Sequence, residues 1–426
     1  MGNPMFDKEW FRLDNAAKIY PAAKSSGWNA VFRMSAVMKE KVDGEKLQLA
    51  LNDVIERFPS FDVTLRKGVF WYYHEYVTRK PLVKDERNYP CSMFKIDGES
   101  HLFRVLYYKN RISLEVFHSI TDGTGALLFL KSLIARYLEL RGINVEDTEG
   151  IMHYKDIPTE GEVEDAFGRN LDPSFGTLPR NEPSAYQIKG PREAKGTLNV
   201  IQAEMDSLEL RTAAKKYGAT VNTYLASVLE YVLVKRQLFE GSQVKRKPIK
   251  VQIPINLRKF FPSITVRNFA GYINTCITPD DKSFDEVIKE TQKQLGENIN
   301  EEYCRKFINS NVSVEKNIFV RLAPRALKTL IMRRSYYSFG EKLSSCLLSN
   351  VGNVDAPEEF KEHVDRLEFV LGPQKYINNA MTCISFNGRT VVTFSRTLKD
   401  ATLEREFFRI LKSHGVDMTI ISNRGE

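Results

Sequence analysis

The chain has 426 residues, a net charge of +8 and 42% hydrophobic residues, a composition typical of a globular protein with more than one hydrophobic core. We find no run of about 18 uncharged apolar residues, so no transmembrane segment is expected. The first residues lack the basic and then apolar order of a signal peptide, and the five cysteines are scattered without a CxxC pair. These features predict a reduced, cytoplasmic protein.

Strands and helices are predicted to alternate in the first part of the chain. A short helix within residues 10–28 is expected to end before Pro21, because proline restricts the residue in front of it. Asp43 is expected to cap a helix that runs to Arg57. The predicted strands of this part are 31–38, 61–65, 69–76, 102–108 and 112–118.

Residues 143–195 contain several prolines and glycines and no long apolar period, which is typical of a crossover between two domains or of a plain surface linker. The chain is therefore divided into lobes at 1–175 and 176–426. In the second part, strands are predicted at 197–205, 249–255, 269–277, 344–351, 367–371, 381–386 and 390–395. Helices are predicted at 206–218, 220–238, 283–299, 315–334 and 403–412. The fold class is α/β, with two similar lobes, each a mixed sheet with helices.

A histidine lies where a strand is predicted to end and a helix to begin. Ile112, Leu114 and Val116 alternate up to His118, and residues 123–140 have helical spacing of apolar residues. A neutral imidazole at such a position can accept a proton near pH 7. Two simpler interpretations stay open, in which His118 is structural and Asp122 is only a helix N-cap. No third ligand accompanies this pair, so no metal site is predicted.

The stretch His118-Ser119-Ile120-Thr121-Asp122-Gly123 resembles the HxxxDG motif of the acyl-CoA-dependent acyltransferase superfamily, which includes chloramphenicol acetyltransferase, alcohol acetyltransferases and condensation domains. Three later segments resemble family motifs in the expected order. These segments are Pro254–Arg258, Arg267–Gly271 and Leu348–Gly352.

The resemblance implies a chloramphenicol acetyltransferase-like fold with an active-site tunnel between the lobes. It implies that His118 is the general base, that Asp122 and Gly123 belong to the catalytic motif, and that Asp122 pairs with Arg258. Asn268, Ser349 and Asn350 are the implied substrate-binding residues, although ordinary strand-end hydrogen bonding would also explain Ser349 and Asn350.

The likeness is best to microbial stand-alone alcohol acetyltransferases. Condensation domains usually carry two adjacent histidines, and Phe117 takes the place of the first here. The Asp-Phe-Gly-Trp-Gly motif of plant members is missing, since the nearest stretch is Glu368–Gly372.

The implied reaction moves an acyl group, expected to be acetyl, from a CoA thioester to a hydroxyl acceptor. Acyl-CoA is then a co-substrate, and no cofactor is predicted. The positive net charge suits such an anionic donor, whose phosphates could meet residues 245–247 or the basic residues of 321–334, and no nucleic-acid partner is expected. Two alternatives remain, which are a condensation-type enzyme with an acyl carrier protein and an amine acceptor, and a non-catalytic member.

Overall fold

The computed structural model describes residues 9–25, 27–93, 95–145, 150–179, 182–241 and 246–424. Its strands are β1 (Trp10–Arg12), β2 (Val31–Met38), β3 (Val63–Lys67), β4 (Tyr72–Tyr76), β5 (Lys84–Asp85), β6 (Phe103–Tyr108), β7 (Arg111–Phe117), β8 (Asn199–Asp206), β9 (Val251–Asn256), β10 (Ala270–Asn274), β11 (Cys346–Asn353), β12 (Val364–Leu371), β13 (Asn379–Phe386), β14 (Arg389–Arg396) and β15 (Met418–Ser422).

The helices follow from local capping and apolar spacing. They are α1 (Ile19–Ala23), α2 (Gly44–Val54), α3 (Gly123–Leu140), α4 (Ala166–Arg169), α5 (Ser207–Lys215), α6 (Val221–Phe239), α7 (Phe284–Asn298), α8 (Glu301–Lys316), α9 (Ile318–Leu322), α10 (Arg325–Phe339), α11 (Glu358–His363) and α12 (Thr402–Ser413). Asp43 caps α2 by accepting from the backbone N–H groups of Glu45 and Lys46, as predicted.

The described strands form three sheets. The first lobe contains a five-stranded sheet in the order β12-β2-β7-β6-β5 and a small sheet in the order β1-β4-β3. The second lobe contains a seven-stranded sheet in the order β10-β9-β11-β13-β14-β8-β15. Two hydrophobic cores result, one around α2, α3 and the five-stranded sheet, the other around α6, α7, α8 and α12. The predicted two-lobed α/β architecture is confirmed.

Residues 364–371 fall within the predicted second lobe, 176–426, but lie in the sheet of the first lobe. They form β12, which pairs antiparallel with β2 of the first lobe, from Val364 beside Met38 to Leu371 beside Phe32. The Thr382 hydroxyl of β13 donates to the Phe369 carbonyl of β12 at 2.5 Å, so this strand also contacts the second sheet. A division of the chain at 175/176 therefore does not separate the two sheets completely.

Three further expectations fail in informative ways. Pro21 lies within α1, where the first turn of a helix needs no N–H donor, so the helix does not end before it. Residues 301–314, outside the predicted helix 315–334, are helical in α8. No strand is predicted after the helix at 403–412, yet β15 follows it and pairs with β8.

The crossover between the lobes is more than a surface linker. Glu162 is buried and forms an ion pair with Arg57 at 2.5 Å, and Asn309 of α8 donates to the Gly176 carbonyl at 2.9 Å. The segment is thus attached to both lobes. No described helix is long and apolar enough to cross a membrane.

Candidate active site

His118 directly follows β7, the middle strand between β2 and β6. Every residue of β7 after Arg111 is buried, and the His118 N–H donates to the Ala30 carbonyl at 2.8 Å. The main chain at the histidine is therefore fixed by the sheet, while the side chain is only partly buried. A residue at this position can combine a rigid backbone with access to a cleft.

Two aromatic rings enclose the imidazole. Tyr20 of α1 stacks on it with ring centroids 4.4 Å apart and an interplanar angle of 11°, and Phe32 of β2 meets it edge-on at 4.9 Å. Burial lowers the pKa of His118 below its ordinary value, although the Asp122 charge and a hydrogen bond to Asn268 oppose that shift. The ring is therefore neutral at pH 7 and able to accept a proton.

Asn268 connects the histidine to a second buried acid. Its side-chain oxygen lies 3.0 Å from His118 Nδ1, and its amide nitrogen donates to Asp14 Oδ2 at 3.3 Å. A carboxylate only accepts hydrogen bonds, so the amide NH₂ faces Asp14 and the amide carbonyl faces His118. Nδ1 then carries the proton, and Nε2 holds the lone pair.

The geometry at Asn268 differs from the substrate-binding role predicted for it. The residue is 2% exposed, and both ends of its amide are engaged with protein side chains. It is placed to orient the imidazole and to fix its tautomer.

Asp14 is a site residue that sequence analysis missed. It is fully buried, accepts from the Ala17 N–H at 2.7 Å and lies 3.5 Å from Arg267 Nε. Burial raises the pKa of Asp14 to about 6, with Arg267 opposing and Asp165 adding to the shift. The available signal was an acid directly before a helix, which normally indicates a cap and nothing more.

Asp122 holds the turn that carries the motif. Its Oδ1 accepts from the N–H groups of Thr124 and Gly125 at 3.1 and 3.2 Å, which caps α3. Its Oδ2 accepts from Arg258 Nη1 at 2.7 Å and from the Phe269 N–H at 2.8 Å. The expected contact between Asp122 and Arg258 is present, with one oxygen capping and the other facing the guanidinium.

The contact uses one guanidinium nitrogen, Nη1, and is not a pair of parallel hydrogen bonds. Arg258 Nη2 instead donates to the carbonyls of Thr265 and Arg267 at 2.8 and 2.6 Å. The guanidinium thereby holds the segment that leads to Asn268 while it meets the acid of the motif. One side chain therefore couples the two halves of the site.

Close packing requires a glycine at Gly125 and not at the predicted Gly123. A Cβ on Gly125 would lie 2.1 Å from both Thr121 Oγ1 and the Val266 carbonyl, where no side chain fits. A Cβ on Gly123 would meet Met34 Cε at 3.4 Å, which is ordinary contact. Thr121 Oγ1 donates to the Val266 carbonyl at 2.5 Å, so the start of α3 is pressed directly on the second lobe.

Ser349 and Asn350 lie on β11 where the seven-stranded sheet opens. β11 pairs with β13 along most of its length but with β9 only at Cys346 and Leu347. Asn350 Oδ1 accepts from the Gly352 N–H at 2.8 Å. Among the described residues, neither side chain forms a hydrogen bond with His118. Their substrate-binding role stays a prediction, as does the tunnel.

The basic residues considered for the donor fall into separate groups. Lys245 lies outside the described residues. Lys328 is buried and donates to the carbonyls of Phe70 and Arg321, and Arg325 Nε donates to the Gly68 carbonyl. Arg321, Arg333 and Arg334 are exposed. No group of three or more metal-ligating side chains occurs in the described part of the chain.

Comparison with known proteins identifies the fold. The chain is similar to the first condensation domain of the calcium-dependent antibiotic synthetase, with 13% identity, a TM-score of 0.62 and coverage of 96% and 99% of the two chains. It is similar to polyketide synthase associated protein 5 from Mycobacterium tuberculosis, with 12% identity, a TM-score of 0.60 and coverage of 95% of this chain and 97% of that chain. It is also similar to the wax ester synthase/diacylglycerol acyltransferase from Marinobacter aquaeolei VT8, with 12% identity, a TM-score of 0.56 and coverage of 95% of this chain and 100% of that chain.

The chain has the fold of the chloramphenicol acetyltransferase-like acyltransferases. This fold covers nearly the whole chain, so it includes both lobes and the crossover. No family model matches the sequence, and no curated protein matches it. The likeness to these solved structures therefore concerns the fold, and the reaction has to be argued from the site.

Proposed function

We propose that the protein transfers an acyl group from a thioester to a hydroxyl acceptor, with His118 as the general base. The observation that carries the proposal is the chain of hydrogen bonds from His118 through Asn268 to Asp14. It fixes the proton on Nδ1 and leaves the Nε2 lone pair for the acceptor.

The reaction follows from this tautomer. Nε2 takes the proton of the acceptor hydroxyl as the acceptor oxygen attacks the thioester carbonyl carbon. The tetrahedral intermediate then loses its C–S bond, and the leaving thiolate recovers the proton from the imidazolium. During the attack the imidazolium gains support from the Asn268 carbonyl and from the negative charge of Asp122. The N–H of Gly123 at the start of α3 is our candidate oxyanion donor.

The donor in this proposal is acyl-CoA, and the acyl group is acetyl. A second candidate is a condensation-type reaction, because one of the structural neighbours is a condensation domain. That candidate uses an acylated carrier protein and an amine. Phe117 in place of a first histidine favours the hydroxyl acceptor.

The test measures free thiol released from acetyl-CoA in the presence of a panel of alcohols and amines. Release that depends on an alcohol supports the proposal. Release only from an acylated carrier protein with an amine supports the condensation-type alternative. A complete lack of thiol release with either donor supports a non-catalytic protein.

His118→Ala should lower turnover by at least about 10²-fold, because general base catalysis typically contributes about 10²–10⁴-fold. His153→Ala is the matched control, since His153 is a partly exposed histidine whose ring packs on Tyr154 instead. Near-normal turnover of the folded His118→Ala protein would show that His118 is not the base.

A further inference from the structure

The helices α9 and α10 expose an unusual set of large apolar side chains. Six of them are between 48% and 81% exposed, with Phe319 the most exposed. We call this set the α9–α10 patch, and its members are Ile318, Phe319, Leu322, Leu327, Leu330 and Ile331. Leu327, Leu330 and Ile331 are spaced three and four residues apart, so they lie on one side of α10. Single exposed apolar residues need no explanation, but a contiguous set does.

The charge of the same segment has one sign only. Residues 317–340 contain five basic residues and no Asp or Glu. Two of the five, Arg325 and Lys328, are used internally, as described above. The remaining three, Arg321, Arg333 and Arg334, are exposed beside the patch. The surface thus combines apolar and basic side chains.

The patch is held in place by the internal pair of basic residues. Lys328 Nζ donates to the Arg321 carbonyl at 2.8 Å and so joins the end of α9 to α10. It also donates to the Phe70 carbonyl at 3.2 Å, and the Arg325 N–H donates to the Val69 carbonyl at 3.1 Å. Val69 is itself 78% exposed, so the turn between β3 and β4 adds to the apolar surface.

The C-terminal end of α10 packs towards the candidate active site. Tyr336 stacks on Trp28 with ring centroids 4.4 Å apart, and the Tyr337 hydroxyl donates to the Ala23 carbonyl at 2.8 Å. Ala23 ends α1, the helix whose Tyr20 stacks on His118. The patch is thus connected to the imidazole through α10 and α1.

We propose that the α9–α10 patch docks on an anionic lipid surface. Apolar side chains that project beside basic ones are typical of helices that lie in a membrane interface, where the apolar groups enter the acyl boundary and the cations meet lipid phosphates. An acidic carrier protein would satisfy the arginines, but the exposed large apolar side chains outnumber the exposed arginines, and a lipid surface accommodates both kinds of side chain. This inference goes beyond the proposed reaction and does not depend on it.

Sedimentation with lipid vesicles tests the proposal without any assay of catalysis. The full-length chain is mixed with vesicles of phosphatidylcholine alone or of phosphatidylcholine with phosphatidylglycerol. We expect binding to the anionic vesicles that weakens as salt is added, because salt screens the arginine contacts. Phe319→Ser combined with Leu322→Ser should lower the partition coefficient at least about tenfold, through lost apolar burial. Arg333→Gln combined with Arg334→Gln should lower it about tenfold and reduce its salt dependence.

Matched controls lie on other surfaces of the chain. Phe239→Ser removes an apolar side chain that is 94% exposed at the end of α6, and Arg405→Gln with Arg409→Gln removes two exposed charges from α12. Neither should change vesicle binding, and thermal unfolding checks that every variant is folded.

Four results would overturn the proposal. The first is a wild-type protein that stays in solution with anionic vesicles at low salt. The second is equal binding by the patch variants. The third is a wild-type dimer that the Phe319 and Leu322 changes convert to monomers, which would assign the patch to a second copy of the chain. The fourth is binding of an acidic carrier protein but not of vesicles.

Discussion

Two buried aspartates lie on either side of His118 and differ in how well they are satisfied. Asp122 receives four hydrogen bonds, from three backbone N–H groups and from Arg258. Asp14 receives one short hydrogen bond from Ala17 and longer contacts from Asn268 and Arg267. The pKa of Asp14 is raised to about 6 by burial. The same residue type thus fixes a turn at one position and, at the other, is a titratable group connected to His118 through Asn268.

The difference shows what each acid can contribute. If the Asp122 carboxylate moved, Arg258 and the first N–H groups of α3 would lose their hydrogen-bond acceptor. Asp122 therefore determines where the histidine lies. A carboxylate that titrates close to neutral pH acts through Asn268 and influences how the imidazole is held. Three predictions test this contrast.

The largest effect is expected at Asp122. Asp122→Asn should lower the free energy of unfolding by about 3–5 kcal/mol and reduce turnover, because it leaves the Arg258 charge without its partner. Arg258→Met should cost a similar amount, and the double variant should cost little more than either single change, as denaturant unfolding would measure. Fully additive losses would contradict the coupling.

A surface pair provides the control for this cycle. Glu302 and Lys306 form an exposed ion pair one helical turn apart on α8. Glu302→Gln should leave the free energy of unfolding almost unchanged, since exposed ion pairs on helices contribute little.

An intermediate effect is expected at Asp14, and it depends on pH. The folded pKa of about 6 lies above the ordinary value of 3.8, so the folded state binds this proton more tightly than the unfolded state. Stability should then fall by about 3 kcal/mol as pH rises from the unfolded to the folded pKa, and stay lower above it. Asp14→Asn should abolish this part of the pH dependence.

Unfolding curves between pH 4 and pH 7 would measure the contribution of Asp14 as the difference in the free energy of unfolding between the variant and the wild type. The difference is the correct quantity, because burial also raises the pKa values of Glu230 and Glu341 to about 7 and adds the same kind of dependence to both proteins. Parallel curves would mean that Asp14 does not titrate in this range.

The smallest effect is expected at Asn268. Asn268→Ala should lower kcat at least about tenfold with little change in KM, because it frees the imidazole to adopt the wrong orientation or tautomer. If Asn268 instead bound substrate, as the resemblance implies, Asn268→Ala would raise KM and leave kcat nearly unchanged. Asn52→Ala, at an amide of α2 that accepts from Gln48, should leave both constants unchanged.

The elements that sequence analysis predicted correctly are determined by neighbouring residues. The bounds of β2 and α3 match the predictions at 31–38 and 123–140. For α3 the reason is local, because Asp122 caps the helix and an apolar period continues it. The contact between Asp122 and Arg258 also follows from motifs, although its single hydrogen bond does not. The two-lobed fold is predicted by the resemblance of the sequence motifs to those of the acyltransferase superfamily.

The missed features depend on contacts between distant parts of the chain. Asp14 and Asn268 are separated by 254 positions, and only the fold brings them together. Tyr20 reaches His118 because α1 packs under α10, which no local pattern encodes. The close approach at Gly125 depends on the carbonyl of Val266 in the other lobe.

The placement of β12 has a consequence for how the chain is made. β2 is buried along its whole length and has β7 on one side and β12 on the other. During synthesis from the N-terminus, residues 364–371 leave the ribosome long after the other strands of that sheet. Until then β2 is an open edge with unpaired backbone groups, which other chains could join. The first lobe is therefore completed only after much of the second lobe has been made, and a fragment that stops before residue 364 should aggregate where the complete chain does not.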